Sequence, residues 1–181
     1  MRNLSFFVQS FKDFRTTGSF LPSQRFLIKK LIRTVDPNAT CIIELGAGEG
    51  CVTRHLEKKI SNKTLVLSFE INPKLISMNK SVRPNTILIQ DFAQNVREHI
   101  RAHNISHVDY VISSLPFASL GKNDTNAILS IIAENMSPTG KFIQYQYSLL
   151  NRKDLKKYFR DVRTQFVPLN IPPAFVYICT K

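Results

Sequence analysis

Apolar residues in this chain gather into short unbroken runs, separated by stretches in which they recur with a helical period. Cys41-Ile42-Ile43, Leu65-Val66-Leu67-Ser68-Phe69, Thr86-Ile87-Leu88-Ile89 and Val108-Asp109-Tyr110-Val111-Ile112 are too short and too apolar for surface helices and predict buried strands. The intervening segments predict helices over 50–59, 73–81, 92–103 and 122–136. A fifth strand is expected after Pro138-Thr139-Gly140, from Lys141 to Tyr147. A helix over 151–159 then leads to a closing strand pair, 161–167 and 174–180, joined across Pro168 to Pro173. Near the start, Leu4, Phe7, Phe11 and Phe14 recur at helical steps and predict an amphipathic helix over 3–15, broken by Gly18 to Pro22. A second helix is expected over 23–33, with Phe26, Leu27, Leu31 and Ile32 facing inward. Alternation of strand and helix predicts an α/β fold with a doubly wound, mostly parallel, seven-stranded sheet. The final hairpin supplies one antiparallel strand. One domain is expected over 1–181, with a helical segment at 1–35 ahead of an α/β core at 36–181.

The ends of the strands carry the chemistry. The first runs into Glu44-Leu-Gly-Ala-Gly-Glu-Gly50, where Gly46, Gly48 and Gly50 permit a sharp turn and a close approach to a ligand. The second ends in Glu70, an acid placed to grip ribose hydroxyls; the third ends in Asp91-Phe92; the fourth ends in Ser113-Ser114-Leu115-Pro116-Phe117. In a doubly wound sheet ligands bind beyond the carboxyl ends of the strands, so these scattered residues are expected to converge. Four such tips at one end form a layout similar to that of Rossmann-like S-adenosylmethionine methyltransferases. The turn lacks the phosphate-binding spacing of a dinucleotide site, and S-adenosylmethionine has no phosphate to bind. On that reading Glu44, Gly46, Ala47, Gly48 and Gly50 face the methionine portion, Glu70 and Ile71 the ribose, Asp91 the adenine amino group, and Phe92 the adenine ring. Taken singly, Glu70 reads equally as a surface carboxylate and Asp91 as a helix cap.

Methyl transfer from a sulfonium to an amine needs a desolvated lone pair held in line with the methyl carbon more than it needs a strong base. The turn Ser114-Leu115-Pro116-Phe117 suits this task, its carbonyls aimed at the amine and its ring lining the methyl path. The competing reading is a plain strand-end turn with Phe117 in the core.

Hydrophobic residues make up 43% of the chain, which excludes a disordered polymer. Cys41, Cys51 and Cys179 show no ligand spacing and read as reduced packing residues. His55, His99, His103 and His107 are expected on separate surface turns, so no metal is expected. No run is long and apolar enough for a membrane span, and a cytoplasmic location follows as the expectation. The formal net charge of +12 is unevenly spread. Arg2, Lys12, Arg15, Arg25, Lys29, Lys30 and Arg33 stand against Asp13 alone, and a second basic cluster runs from Arg152 to Arg163. Such clusters suit a polyanion, either nucleic acid or an anionic membrane face.

The chain resembles the bacterial phosphatidylethanolamine N-methyltransferases of the soluble, membrane-associating type. The resemblance rests on Thr17-Gly-Ser-Phe-Leu-Pro-Ser-Gln-Arg25, Glu44 to Gly50, Ser113 to Phe117, Gln144-Tyr-Gln-Tyr147 and Asn170-Ile-Pro-Pro-Ala-Phe-Val-Tyr177. It implies methylation of a phospholipid head-group amine, phosphatidylethanolamine towards phosphatidylcholine, by an enzyme peripheral on the inner membrane face. It further implies that Gly18, Ser19 and Ser23 line the pocket entrance and that Arg25 and Tyr147 meet the lipid phosphate, with Tyr147 beside the reacting groups. Departures from the family pattern include Ser114 for Gly, Phe117 for Leu, Gln24 for Ser, and Tyr145-Gln146 for Phe-Thr. The chain is also similar to the ribosomal RNA adenine dimethylases, whose fourth strand ends in Asn-Leu-Pro-Tyr or Asn-Ile-Pro-Phe. Here Ser113-Ser114 replaces the asparagine that would accept from an adenine amine. RNA is therefore the alternative partner, and a non-catalytic lipid- or partner-binding domain is the second alternative.

Overall fold

The structure is a computed structural model that describes residues 22–81 and 83–181. The helix expected over 3–15 and the candidates Gly18 and Ser19 lie outside the described residues, as does the side chain of Ser23. The described elements are α1 (Pro22–Ile32), β1 (Cys41–Leu45), α2 (Cys51–Glu57), β2 (Leu65–Phe69), α3 (Pro73–Met78) and β3 (Thr86–Ile89). After a short 3-10 turn (Ala93–Asn95) come α4 (Val96–Ala102), β4 (Val108–Ser113), α5 (Lys122–Asn135), β5 (Met136–Gln146), α6 (Arg152–Tyr158), β6 (Asp161–Val167) and β7 (Ala174–Thr180).

All seven strands form one sheet in the order β3-β2-β1-β4-β5-β7-β6. Neighbours from β3 to β5 pair in parallel, and β7 pairs antiparallel with both β5 and β6. The expected doubly wound sheet with one reversed strand is therefore present. Continuous apolar runs build it because both faces are covered: every residue of β1 is buried. Side chains alternate across that strand. Cys41, Ile43 and Leu45 join Leu67, Phe69, Val111 and Phe142 beneath α4, α5 and α6. Ile42 joins Val66, Ile112, Ile143 and Val176 beneath α1 and α2. Order reverses at β1, where the chain leaves towards β2 on one side and returns to β4 on the other. That reversal opens the crevice in which a ligand can sit.

Three local departures have physical causes. Phe26, expected inward, is half exposed, and Ile28 takes its place in the core with Leu27, Leu31 and Ile32. The helix expected over 92–103 opens as the 3-10 turn before α4 begins. Strand β5 starts earlier than Lys141, because Met136 already pairs with Val108 before the chain bulges through Pro138 to Gly140 and resumes at Tyr110–Lys141. Gly140 is needed at that bulge: a Cβ there would lie 3.0 Å from the carbonyl oxygens of both Ser137 and Val108.

Candidate active site

The turn after β1 is held open by glycine. Gly46, Gly48 and Gly50 have φ of 76°, 56° and 78°, a left-handed region costly for side chains. The amides of Gly46 and Ala47 both donate to the Phe69 carbonyl at 2.9 Å, which locks the turn to the end of β2. At Gly46 a Cβ would lie 3.2 Å from Leu115 Cδ2 and 3.6 Å from the Ser114 carbonyl carbon, so the turn after β4 closes over it. Gly50 opens α2 against Asn79, whose Oδ1 would lie 2.0 Å from an added Cβ.

Three carboxylates anchor this end of the sheet. Glu70, buried, accepts from the amide of Gly48 at 2.8 Å through Oε2 and from those of Ile71 and Asn72 at 2.9 and 3.0 Å through Oε1. The acid thus braces the glycine turn as well as presenting itself to a ligand. Two donors fill Oε1, and Oε2 keeps room for one more. Asp91 accepts from the Phe92 amide and Asn95 Nδ2, both at 2.7 Å, and its Oδ2 meets His99 Nε2 at 2.8 Å. Partial burial pushes the Asp91 carboxyl up, but the hydrogen bonds from His99, Asn95 and Phe92 outweigh it, and the group sits below its ordinary value. Glu44 lies on the opposite face of β1, wholly buried, its Oε2 accepting from Thr53 Oγ1 and Ser68 Oγ at 2.7 Å each. Its Oε1 has no partner among the described residues. Burial pushes the Glu44 carboxyl up, against the opposing pull of the two hydroxyls.

The turn after β4 is held from below. Ser113, buried, accepts from the Leu115 amide through its hydroxyl, and the Ser114 amide donates to the Leu45 carbonyl. The Leu115 carbonyl accepts from Gln144 Nε2 at 2.8 Å, Gln146 Nε2 at 3.2 Å and the Phe117 amide at 2.9 Å. It is therefore fully engaged within the protein; Ser114, whose carbonyl carbon lies against Gly46, is the neighbouring residue of the turn with a carbonyl and a hydroxyl, although it does not line the cleft described below. Phe117 is corrected from the expected slot position. Its ring is 2% exposed and stacks on Phe142 at 6.3 Å, inside the core.

A cleft opens at this sheet end. Gly46, Glu70, Ile71, Asp91, Phe92 and Leu115 line it, bringing together six of the residues chosen from sequence. Phe69, Ala93, Gln94 and Ile128 complete the wall. Phe69 adjoins Glu70 in sequence, and Ala93 and Gln94 follow Asp91-Phe92, so they could have been named with them, whereas Ile128 arrives from α5 with no local signal. His99 was also missed. It lies on α4 rather than on a separate surface turn, its ring edge-on to Phe69 at 5.2 Å. Tyr147 and Arg25 do not line this cleft. Tyr147 is exposed beyond β5, edge-on to Tyr145 at 5.9 Å, and Arg25 is exposed on α1. Among the described residues no group of three or more His, Cys, Asp or Glu gathers as a metal site, and no helix is long and apolar enough to cross a membrane.

The arrangement fits an aminoacyl nucleoside. A cradle that a Cβ would fill at Gly46, a carboxylate with an open oxygen at Glu70 and an exposed aromatic face at Phe92 suit a nucleoside. The unpartnered Glu44 oxygen suits a nearby ammonium group.

Comparison with known proteins supports the fold. No family model matches the chain. It is 25% identical over 174 residues to the ornithine lipid N-methyltransferase of Singulisphaera acidiphila, across 93% of this chain and 91% of the relative. Magnesium protoporphyrin IX methyltransferase from Synechocystis, solved with bound S-adenosylmethionine, superposes with a TM-score of 0.67 at 13% identity, across 97% of this chain and 93% of that one. An rRNA methylase from Streptococcus thermophilus superposes with a TM-score of 0.62 at 17% identity, across 90% of this chain and 99% of that one. The chain thus has the Rossmann-like fold on which these methyltransferases are built.

Proposed function

We propose that the chain is an S-adenosylmethionine-dependent N-methyltransferase whose acceptor is the amine of a lipid head group. The observation that carries the reading is the convergence of Gly46, Glu70, Asp91, Phe92 and Leu115 in one cleft at the sheet's point of reversal. The lipid acceptor draws on the ornithine lipid N-methyltransferase relative, which is similar across nearly the whole chain. Phosphatidylethanolamine is the finer candidate, and it shares with an ornithine head group the primary amine that the reaction needs.

When bound, S-adenosylmethionine would supply a methyl carbon activated by its sulfonium for attack by the lone pair of a neutral amine. The protein's contribution is placement. Glu70 holds the ribose side, Phe92 covers the ring, and the glycine turn lets the backbone approach. Ser114 accepts an N–H of the amine through its carbonyl, fixing the lone pair towards the methyl group, because Gln144 and Gln146 occupy the neighbouring Leu115 carbonyl. Arg25 and Tyr147, both exposed, are left to meet the rest of the head group.

The test is transfer of labelled methyl from S-adenosylmethionine to three acceptors: phosphatidylethanolamine and ornithine lipid, each dispersed in detergent micelles, and ribosomal RNA. Label in either lipid is the expected result, and the preferred lipid names the substrate. Label confined to RNA replaces the acceptor. Failure to bind the cofactor would reduce the chain to a binding domain.

A further inference from the structure

Two loops at the ligand end of the sheet are built with their polarity reversed. Strand β5 runs parallel to β1–β4 and ends at Gln146, which pairs with Phe175 near the start of the antiparallel β7. Val167, the end of β6, pairs with Ala174. The segments 147–151 and 168–173 therefore emerge side by side, at the end of the sheet that carries the cleft. Both bury their amides and expose their aliphatics. Asn151 and Asn170 are buried, whereas Leu150, Ile171 and Leu169 are 76%, 73% and 61% exposed. The loops are tied in place, Asn170 Nδ2 donating to the Pro172 carbonyl at 2.6 Å within the second and Tyr177 Oη of β7 donating to the Ser148 carbonyl of the first at 3.1 Å. An apolar rim fixed in this way has no use in water. Charge indicates its occupant: Arg152 and Lys153, both exposed, follow Leu149-Leu150-Asn151 directly.

We propose that the tips of these two loops dock into an anionic bilayer, with Leu150, Leu169 and Ile171 entering the head-group boundary and Arg152 and Lys153 meeting the anionic head groups. This deepens the lipid reading and rests on it, and it is independent of the N-terminal segment. Aliphatic tips gain by leaving water, and adjoining cations add an attraction that salt screens. The placement serves the chemistry. Gln146, at the base of the first loop, donates to the Leu115 carbonyl, so docking sets the acceptor turn at the surface where lipid amines lie.

The chain contains no tryptophan, so a single introduced indole reports its own surroundings. Full-length Leu150→Trp, mixed with vesicles of phosphatidylcholine and phosphatidylglycerol, should shift its emission to the blue and be quenched by lipids brominated on their acyl chains. Lys63→Trp, exposed in the turn before β2 at the opposite end of the sheet, should do neither. The double variant Leu150→Asp with Ile171→Asp should sediment with these vesicles at least about tenfold less, with an unchanged melting temperature. Vesicle binding without a shift in Leu150→Trp, a shift of equal size in Lys63→Trp, or full binding by the double variant overturns the proposal. So does Leu150→Trp emission already blue without vesicles, which would mean that the rim is covered by the chain itself or by a second copy. Methylation of micellar lipid separates the two readings: activity there with no vesicle docking defeats only the docking surface, and docking with no labelled lipid defeats only the methyltransferase assignment.

Discussion

The two halves of the sheet end in opposite chemistry. At the tips of β2 and β3 the chain spends its carboxylates on its own groups, buried Glu70 on three amides and partly buried Asp91 on an amide and two side chains. At the tips of β5, β6 and β7 it buries amides and leaves leucine and isoleucine in the open. A preorganised polar rim suits a small ligand of fixed shape, because the donors and acceptors are set before it arrives. An apolar rim suits a fluid surface, which offers no fixed partner for a hydrogen bond. The turn at Leu115 lies between the halves and is tied to the second by Gln144 and Gln146. It is therefore placed to bring what one half holds against what the other admits.

The largest effect is expected where the boundary turn meets the core. Phe117→Ala removes a ring packed on Phe142 and should cost about 3–5 kcal/mol of stability in chemical denaturation. The folded fraction should keep its cofactor affinity and most of its turnover. A turnover collapse with little loss of stability would return Phe117 to the methyl path and blur the line between turn and core.

A smaller loss is expected within the polar half. Glu70→Ala removes a charge-assisted contact to the cofactor worth roughly 1.5–3 kcal/mol, so calorimetry should show S-adenosylmethionine binding at least about tenfold weaker. Because the amides of Gly48, Ile71 and Asn72 lose their acceptor together, the melting temperature should fall as well. Unchanged affinity in the folded variant would confine Glu70 to bracing the turn.

This half was legible in the sequence because its signals are local. A strand, its polar tip and the glycines after it are contiguous, and the carboxyl-end rule gathers the tips without any knowledge of packing. Ile128 and His99 were not legible, since the first reaches the cleft and the second reaches Asp91 from a helix whose face is decided by the sheet it covers. Phe117 was misplaced because an aromatic after a proline turn reads alike whether it points out or in, and only Phe142 and the other side chains beneath it decide. The apolar half was invisible for a related reason. Leu149-Leu150 and Leu169-Asn170-Ile171 look like ordinary core residues beside ordinary loop residues, and their exchange of places appears only in three dimensions.

The smallest effect concerns Glu44, which faces away from the cleft rim under the floor of the turn. Burial raises its folded-state pKa above the ordinary 4.5, so the folded chain binds this proton more tightly than the unfolded chain. The sign follows. Any stability that the shift contributes is present in full below the ordinary value and is lost as pH rises through the raised one. Glu44→Gln cannot ionise, so its melting temperature should fall less than that of the native chain across this window. At roughly 2–4 °C for each kcal/mol, the difference should be a few degrees at most. The native carboxylate should regain ground when S-adenosylmethionine is added, because an ammonium beside the unpartnered Oε1 favours the charged form and draws the folded-state pKa down. Saturating cofactor should therefore flatten the pH dependence of the native chain and leave that of Glu44→Gln as it was. A native pH profile indifferent to cofactor would place Glu44 outside the ligand's reach, as a buried strut between β1, β2 and α2, and would move the boundary of the polar half outward to Gly46.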